Sequence, residues 1–73
     1  MENFYFTFGS DPVFPYHRGY LIVKAESMED AFTKFRKKYP DAHKNCLRCA
    51  FYYTQEQWEQ IPVDMGTCHE VIE

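Results

Sequence analysis

Between Gly9 and Gly19 the chain reads Gly-Ser-Asp-Pro-Val-Phe-Pro-Tyr-His-Arg-Gly, and four of these side chains can do chemistry. Phe14 and Tyr16 offer aromatic planes. Arg18 offers a planar fork of N–H donors that fits phosphate or carboxylate. His17 can donate, accept or titrate near neutrality. Arg48, in a basic stretch further along, is a second cation available to a small anion. Stacking planes beside a guanidinium suit a nucleobase or nucleotide. They suit a protein hot spot equally well, because Tyr, Trp and Arg dominate those. The chemistry indicated is binding, with Phe14, Tyr16, His17, Arg18 and Arg48 as the candidate ligand contacts. Neither a phosphate-loop motif nor a dinucleotide fingerprint accompanies them.

A second group has metal-ligand character. His43-x2-Cys46-x2-Cys49, followed by Cys68-His69, supplies enough nitrogen and sulfur for tetrahedral zinc. Against this, the knuckle Cys46-Leu47-Arg48-Cys49 has no nearby glycine, there is one such pair, and Cys49 runs into a strand. Buried cysteines commonly act as small hydrophobes. No cofactor is expected, with zinc on His43, Cys46, Cys49 and Cys68 as the alternative. Catalysis is not expected either. Cys68 and His69 are neighbours whose side chains point apart in a strand, so they form no ready dyad. A thin domain also leaves little room for a closed site.

The loop that carries the first group must be held by the elements on either side. Asn3 to Gly9 alternates, with Phe4, Phe6 and Phe8 on one face and Asn3, Tyr5 and Thr7 on the other, which predicts a strand. Tyr20 to Ala25, with Ile22 and Val23, predicts a second. The Gly9–Gly19 loop between them is about twice the usual two to five residues of a hairpin connection. Pro12 and Pro15 stiffen it. Long ordered loops are often functional; the other reading is that this one folds its aromatics back to complete a small core. Ser27 then caps a helix whose Met28, Ala31, Phe32, Phe35 and Tyr39 share a face, and Pro40 ends it. Glu29 and Asp30 at its start, and Arg36, Lys37 and Lys38 at its end, complement the macrodipole. Cys49 to Tyr53 predicts a third strand. Thr54 and Gln57 form a capping box for a short helix carrying Trp58. The tail from Gly66 to Ile72 is a candidate short edge strand.

The expectation is one α+β domain over residues 1–73: a small three-stranded mixed sheet, in β-β-α-β order with a short C-terminal helix, packed on one amphipathic helix. The strand order expected is second, first, third.

At 73 residues the chain fits one domain. A core of this size contributes roughly 3–5 kcal/mol, so a staple is expected: disulfide, metal or partner subunit. Three cysteines are not a disulfide framework. No stretch reads as a signal peptide, and no apolar run is long enough to span a bilayer, which points to a reducing cytoplasm. A net charge of −3 excludes a general nucleic-acid binder. The charge is unevenly spread. Lys34, Arg36, Lys37, Lys38, Lys44 and Arg48 hold most of the positive charge, and no Lys or Arg follows Thr54. That asymmetry suits self-pairing, as does an aromatic content of 19%. A homo-oligomer is expected.

Phe6-Thr7-Phe8-Gly9, Gly19-Tyr20-Leu21-Ile22-Val23, the helix start Ala25-Glu26-Ser27-Met28-Glu29-Asp30-Ala31 and Tyr53-Thr54-Gln55-Glu56-Gln57-Trp58 together resemble small proteins of phages and prophages of Gram-positive and gut bacteria. The resemblance runs to about Trp58 and rests on structural motifs. No functional residues are assigned in such proteins, so none carries over. It implies a setting: an accessory binding protein in the cytoplasm of a bacterial host, countering antiviral defence by sequestering a nucleotide signal or blocking a host protein. The alternative is a structural or regulatory protein-interaction module without enzymatic activity, with zinc as an optional staple.

Overall fold

In a computed structural model that describes residues 1–9, 12, 14–41 and 46–73, the chain is α+β. The elements are β1 (Glu2–Thr7), β2 (Tyr20–Ala25), α1 (Met28–Lys38), β3 (Phe51–Thr54), α2 (Gln55–Glu59) and β4 (Cys68–Ile72). The expected three-stranded sheet is corrected to a four-stranded mixed one, in the order β3-β1-β2-β4. The added strand is the tail, which runs parallel to β2. Its alternation is weak in sequence because Cys68-His69-Glu70-Val71-Ile72 mixes polar and apolar residues on both faces. Its pairing partner also lies some fifty residues back, as in the Cys68–Tyr20 pair, so no local signal announces it.

β1 is central. It pairs antiparallel with β2, Phe6 opposite Leu21, and antiparallel with β3, Phe6 opposite Tyr52. The period of two therefore sends Phe4 and Phe6 to one face together with Leu21, Val23 and Ala25, all buried. α1 covers this face with Ala31 and Phe35. Phe6 and Phe35 have no exposed surface, and their rings stack 4.6 Å apart.

The helix begins as its residues require. Ser27 Oγ accepts from the Asp30 amide at 3.2 Å. The Asp30 carboxylate accepts from the Glu26 amide and pairs with Lys34 one turn on. The Lys34 ammonium also donates to the Lys24 carbonyl at 2.7 Å, tying α1 to β2. The Tyr39 amide donates to the Phe35 carbonyl, and Pro40 stops the helix there.

The opposite face carries Tyr5, Tyr20 and Tyr53. α2 exists to cover them. Thr54 and Gln57 exchange side-chain and backbone bonds in a complete capping box, which starts a helix of five residues and sets Trp58 over the sheet. Trp58 stacks flat on Tyr5 at 4.4 Å and tilts against Tyr20 and Tyr53. No helix among the described residues is long and apolar enough to cross a membrane.

Phe35→Ala should cost about 3–5 kcal/mol, as truncation of a buried Phe does. That equals the whole stability expected of so small a core. The variant should show no cooperative urea transition, whereas Ser27→Ala, losing a cap, should keep the transition and lose about 1 kcal/mol.

Candidate functional site

Residues 14–19 of the Gly9–Gly19 loop pack at one end of the sheet, and their anchor is Tyr16. The Tyr16 ring stacks parallel on His69 of β4 at 4.5 Å, and its edge meets Phe8 and Tyr39. Its hydroxyl lies 3.1 Å from that of Tyr39, which lies 2.8 Å from Glu70 Oε1. A carboxylate can only accept, so the one Tyr39 proton goes to Glu70 and Tyr16 donates to Tyr39. Lys38 pairs with the other Glu70 oxygen. This chain joins loop, α1 and β4. Burial pushes the Tyr39 hydroxyl up to about 12. Phe14 also turns inward, packing against the core.

With Phe14 and Tyr16 committed inside, His17 and Arg18 remain exposed. Arg18 holds φ at 63°, in the left-handed region, which costs a non-glycine residue about 1–2 kcal/mol. Its backbone is fixed on both sides. The Arg18 amide donates to the Gly9 carbonyl at 3.4 Å, and the Arg18 carbonyl accepts from His69 Nε2 at 2.6 Å. Because that partner is a carbonyl, Nε2 carries the proton. Gly19 follows with φ at 75°, and a Cβ there would strike the Thr67 carbonyl and come within 2.6 Å of His69 Nε2. Gly66, with φ at 95°, packs against Gly19 so closely that a Cβ would sit 3.0 Å from its Cα. The Gly66 amide is held by Asp64 Oδ1 at 2.9 Å, which fixes the turn.

This junction frames a cleft of about 430 Å³. Phe8, Phe51 and Met65 supply apolar walls; Arg18 and Asp64 supply one charge of each sign. Phe51 is 65% exposed. Among the described residues no ion pair engages Arg18. On the other side of Arg18 a second cleft of about 230 Å³ runs past His17 to His69. Arg18 thus stands on the ridge between two concavities. Arg48 is half-buried on the bend before β3 and is not part of either wall.

Of the five expected ligand contacts, the fold therefore brings His17 and Arg18 to open concave surface, uses Phe14 and Tyr16 for packing, and sets Arg48 apart. Phe51, Asp64 and Met65 belong to the cleft without having been expected there. Asp64-Met65-Gly66 is a turn signal in sequence, but nothing local says which strand end the turn meets.

His43 lies outside the described residues. Cys46 is exposed a few residues before β3, and Cys49, on the bend that leads into β3, is half-buried against the core. Cys68 is on β4, at the opposite edge of the sheet, where its thiol donates to the Glu70 carbonyl. Three strand spacings separate those edges, about 14 Å. Zinc holds sulfur at about 2.3 Å, so this arrangement does not bring Cys68 to the same ion as Cys46 and Cys49. No group of three or more His, Cys, Asp or Glu converges among the described residues. Burial, with the nearby Cys46 and Asp41 adding to it, pushes the Cys49 thiol up to about 12.

Comparison with protein-family models, curated proteins and solved structures finds no match for this chain.

Two consequences can be measured. Raising a thiol by three units cuts its thiolate fraction at pH 8 about a thousand-fold. Iodoacetamide should therefore label Cys46 first and Cys49 last in the native protein, and the two at similar rates in urea, as read by peptide mass spectrometry. The second concerns alkali. The unfolded Tyr39 hydroxyl loses its proton near 10 and the folded one near 12. Between those values the native state binds more protons, so stability falls as pH rises through the window and is fully present below it. Tyr39→Phe should flatten that fall in urea titrations between pH 10 and 12, whatever it costs at pH 7.

Proposed function

We propose that this chain is a small non-enzymatic binding protein, an accessory factor of the phage type, which counters host defence by blocking a host protein. The observation that carries the reading is Arg18, held in left-handed backbone at the mouth of an apolar cleft beside exposed Phe51. Strain kept at an exposed polar residue is typical of a functional position. An arginine flanking an aromatic-lined concavity has the composition of a protein hot spot.

The nucleotide branch is weaker on electrostatic grounds. A phosphate entering the cleft meets one guanidinium and the Asp64 carboxylate, whose charges offset each other. An apolar side chain with a nearby polar group fits the same walls with no such penalty.

Arg18→Gly removes the guanidinium while keeping a backbone that glycine adopts readily. In bacteria carrying a panel of defence systems, the wild-type chain should restore phage plating against one of them. Arg18→Gly should lower that rescue at least ten-fold at equal expression. Linear and cyclic nucleotides should leave Tm unchanged. A sequestered nucleotide at a hundred times its Kd would add about 2.7 kcal/mol and raise Tm by some 10–20 °C. Such a shift would replace the protein-blocking reading with nucleotide sequestration.

A further inference from the structure

The sheet has two outer edges, and they differ. β4 carries Glu70 in mid-strand with His69 beside it, Glu73 just beyond its end, and a register shift against β2 between Tyr20 and Leu21. Charges and irregularities of this kind keep an edge from pairing with another chain. β3 has none of them. It reads Phe51-Tyr52-Tyr53-Thr54, without charge, proline or bulge. Among the described residues no strand pairs with its outer side. Its two most open side chains are large: Phe51 is 65% exposed and Tyr52 is 48% exposed. They lie on opposite faces of the sheet, so no single covering element would shield both.

We infer that a second copy of the chain pairs with this edge, β3 to antiparallel β3, extending the four strands into a continuous eight-stranded sheet. Two observations choose a second copy over another partner. The first is geometry. A two-fold axis normal to the sheet pairs residues whose numbers sum to an even value, since opposite residues share a face. Centred on Tyr52, it sets Tyr52 against the partner's Tyr52 and Phe51 against the partner's Tyr53. Both are aromatic pairs, the most favourable kind across strands. The inner side of the Tyr52 ring already rests edge-on against Phe32 at 4.8 Å. Nearly half of the residue stays exposed beside that contact.

The second is charge. The segment before β3 carries Arg48, and from Thr54 onward the charged residues are all acidic, beginning with Glu56. The same axis sets the basic segment that precedes β3 at the end where the acidic segment follows the partner's β3, and reciprocally at the other end. Each copy meets complementary charge on the other. Parallel pairing would set like ends together and lose this.

Only two exposed aromatics per copy are covered, so the interface falls at or below about 1,200 Å², the range of weak association. Dimers should dissociate in the micromolar range. The pairing shares Phe51 with the wall of the Arg18 cleft but does not use the Arg18 guanidinium, so Arg18→Gly should leave it intact.

Sedimentation velocity from about 5 to 500 µM should show mass rising from one chain to two. Tyr52→Lys should remain monomeric throughout, because two ammonium groups then face each other across the axis. Tyr52→Glu should do the same. An equimolar mixture of the two should regain the dimer, which follows only if residue 52 faces itself. Val71→Lys, on the opposite edge, should dimerise like wild type. Hydrogen exchange of wild-type β3 amides should slow at least ten-fold on going from the dilute to the concentrated sample, a readout that needs no variant to fold. A wild type monomeric at 500 µM overturns the inference. So does a mixture of folded Lys and Glu variants that stays monomeric, or dissociation by Val71→Lys in place of Tyr52→Lys.

Discussion

The stack of Phe6 on Phe35 is the contact on which the rest of the molecule is arranged. Both rings are fully buried, and Phe6 sits on the central strand. Once Phe6 faces the helix, the period of two assigns every neighbouring residue in β2 and β3 to a face. A slip of one residue would turn Leu21, Val23 and Ala25 away from α1 and put Ile22 and Lys24 in their place. The register is therefore set by burial, and the hairpin connection need not set it. That frees the connection to be long.

The second face follows from the first. Tyr5 must point away from Phe4 and Phe6, so an aromatic ring emerges on the far side of the central strand. Trp58 stacks on it, and the capping box of α2 delivers that ring immediately after β3 ends. A helix of five residues is too short to be stable alone. Here the box and the Trp58 stack supply what length does not. The chain thus builds two thin aromatic layers on one sheet, which accounts for much of its aromatic content.

The Gly9–Gly19 loop has a structural role that its length suggests only in part. It carries Tyr16 across to His69, Tyr39 and Glu70, closing the gap between α1 and the parallel edge strand β4. The cost is taken at Arg18, which must turn left-handed so that its carbonyl meets His69 while Gly19 and Gly66 pass in contact. The exposed guanidinium and the cleft are therefore by-products of the same closure that stabilises β4. Packing and a candidate site share one loop, with Tyr16 serving the first and Arg18 the second.

The sequence by itself determined what neighbouring residues can signal. The alternation around Phe4, Phe6 and Phe8, the Ser27 cap, the apolar helix face ending at Pro40, and the Thr54–Gln57 box are local patterns. Each formed where its residues placed it, and together they define the α+β class. The tertiary structure decided whatever depends on contacts distant in the chain. It made the tail a fourth strand, because Cys68-His69-Glu70-Val71-Ile72 gains its partner only when β2 is already in place. It turned Phe14 and Tyr16 inward, because a ring exposed in a loop buries apolar area if a gap lies within reach. It brought Phe51 and Met65 beside Arg18 and left Cys68 at the far edge from Cys49. Residue type told which side chains could bind. Which of them face solvent was settled by the competition for a core too small to do without them.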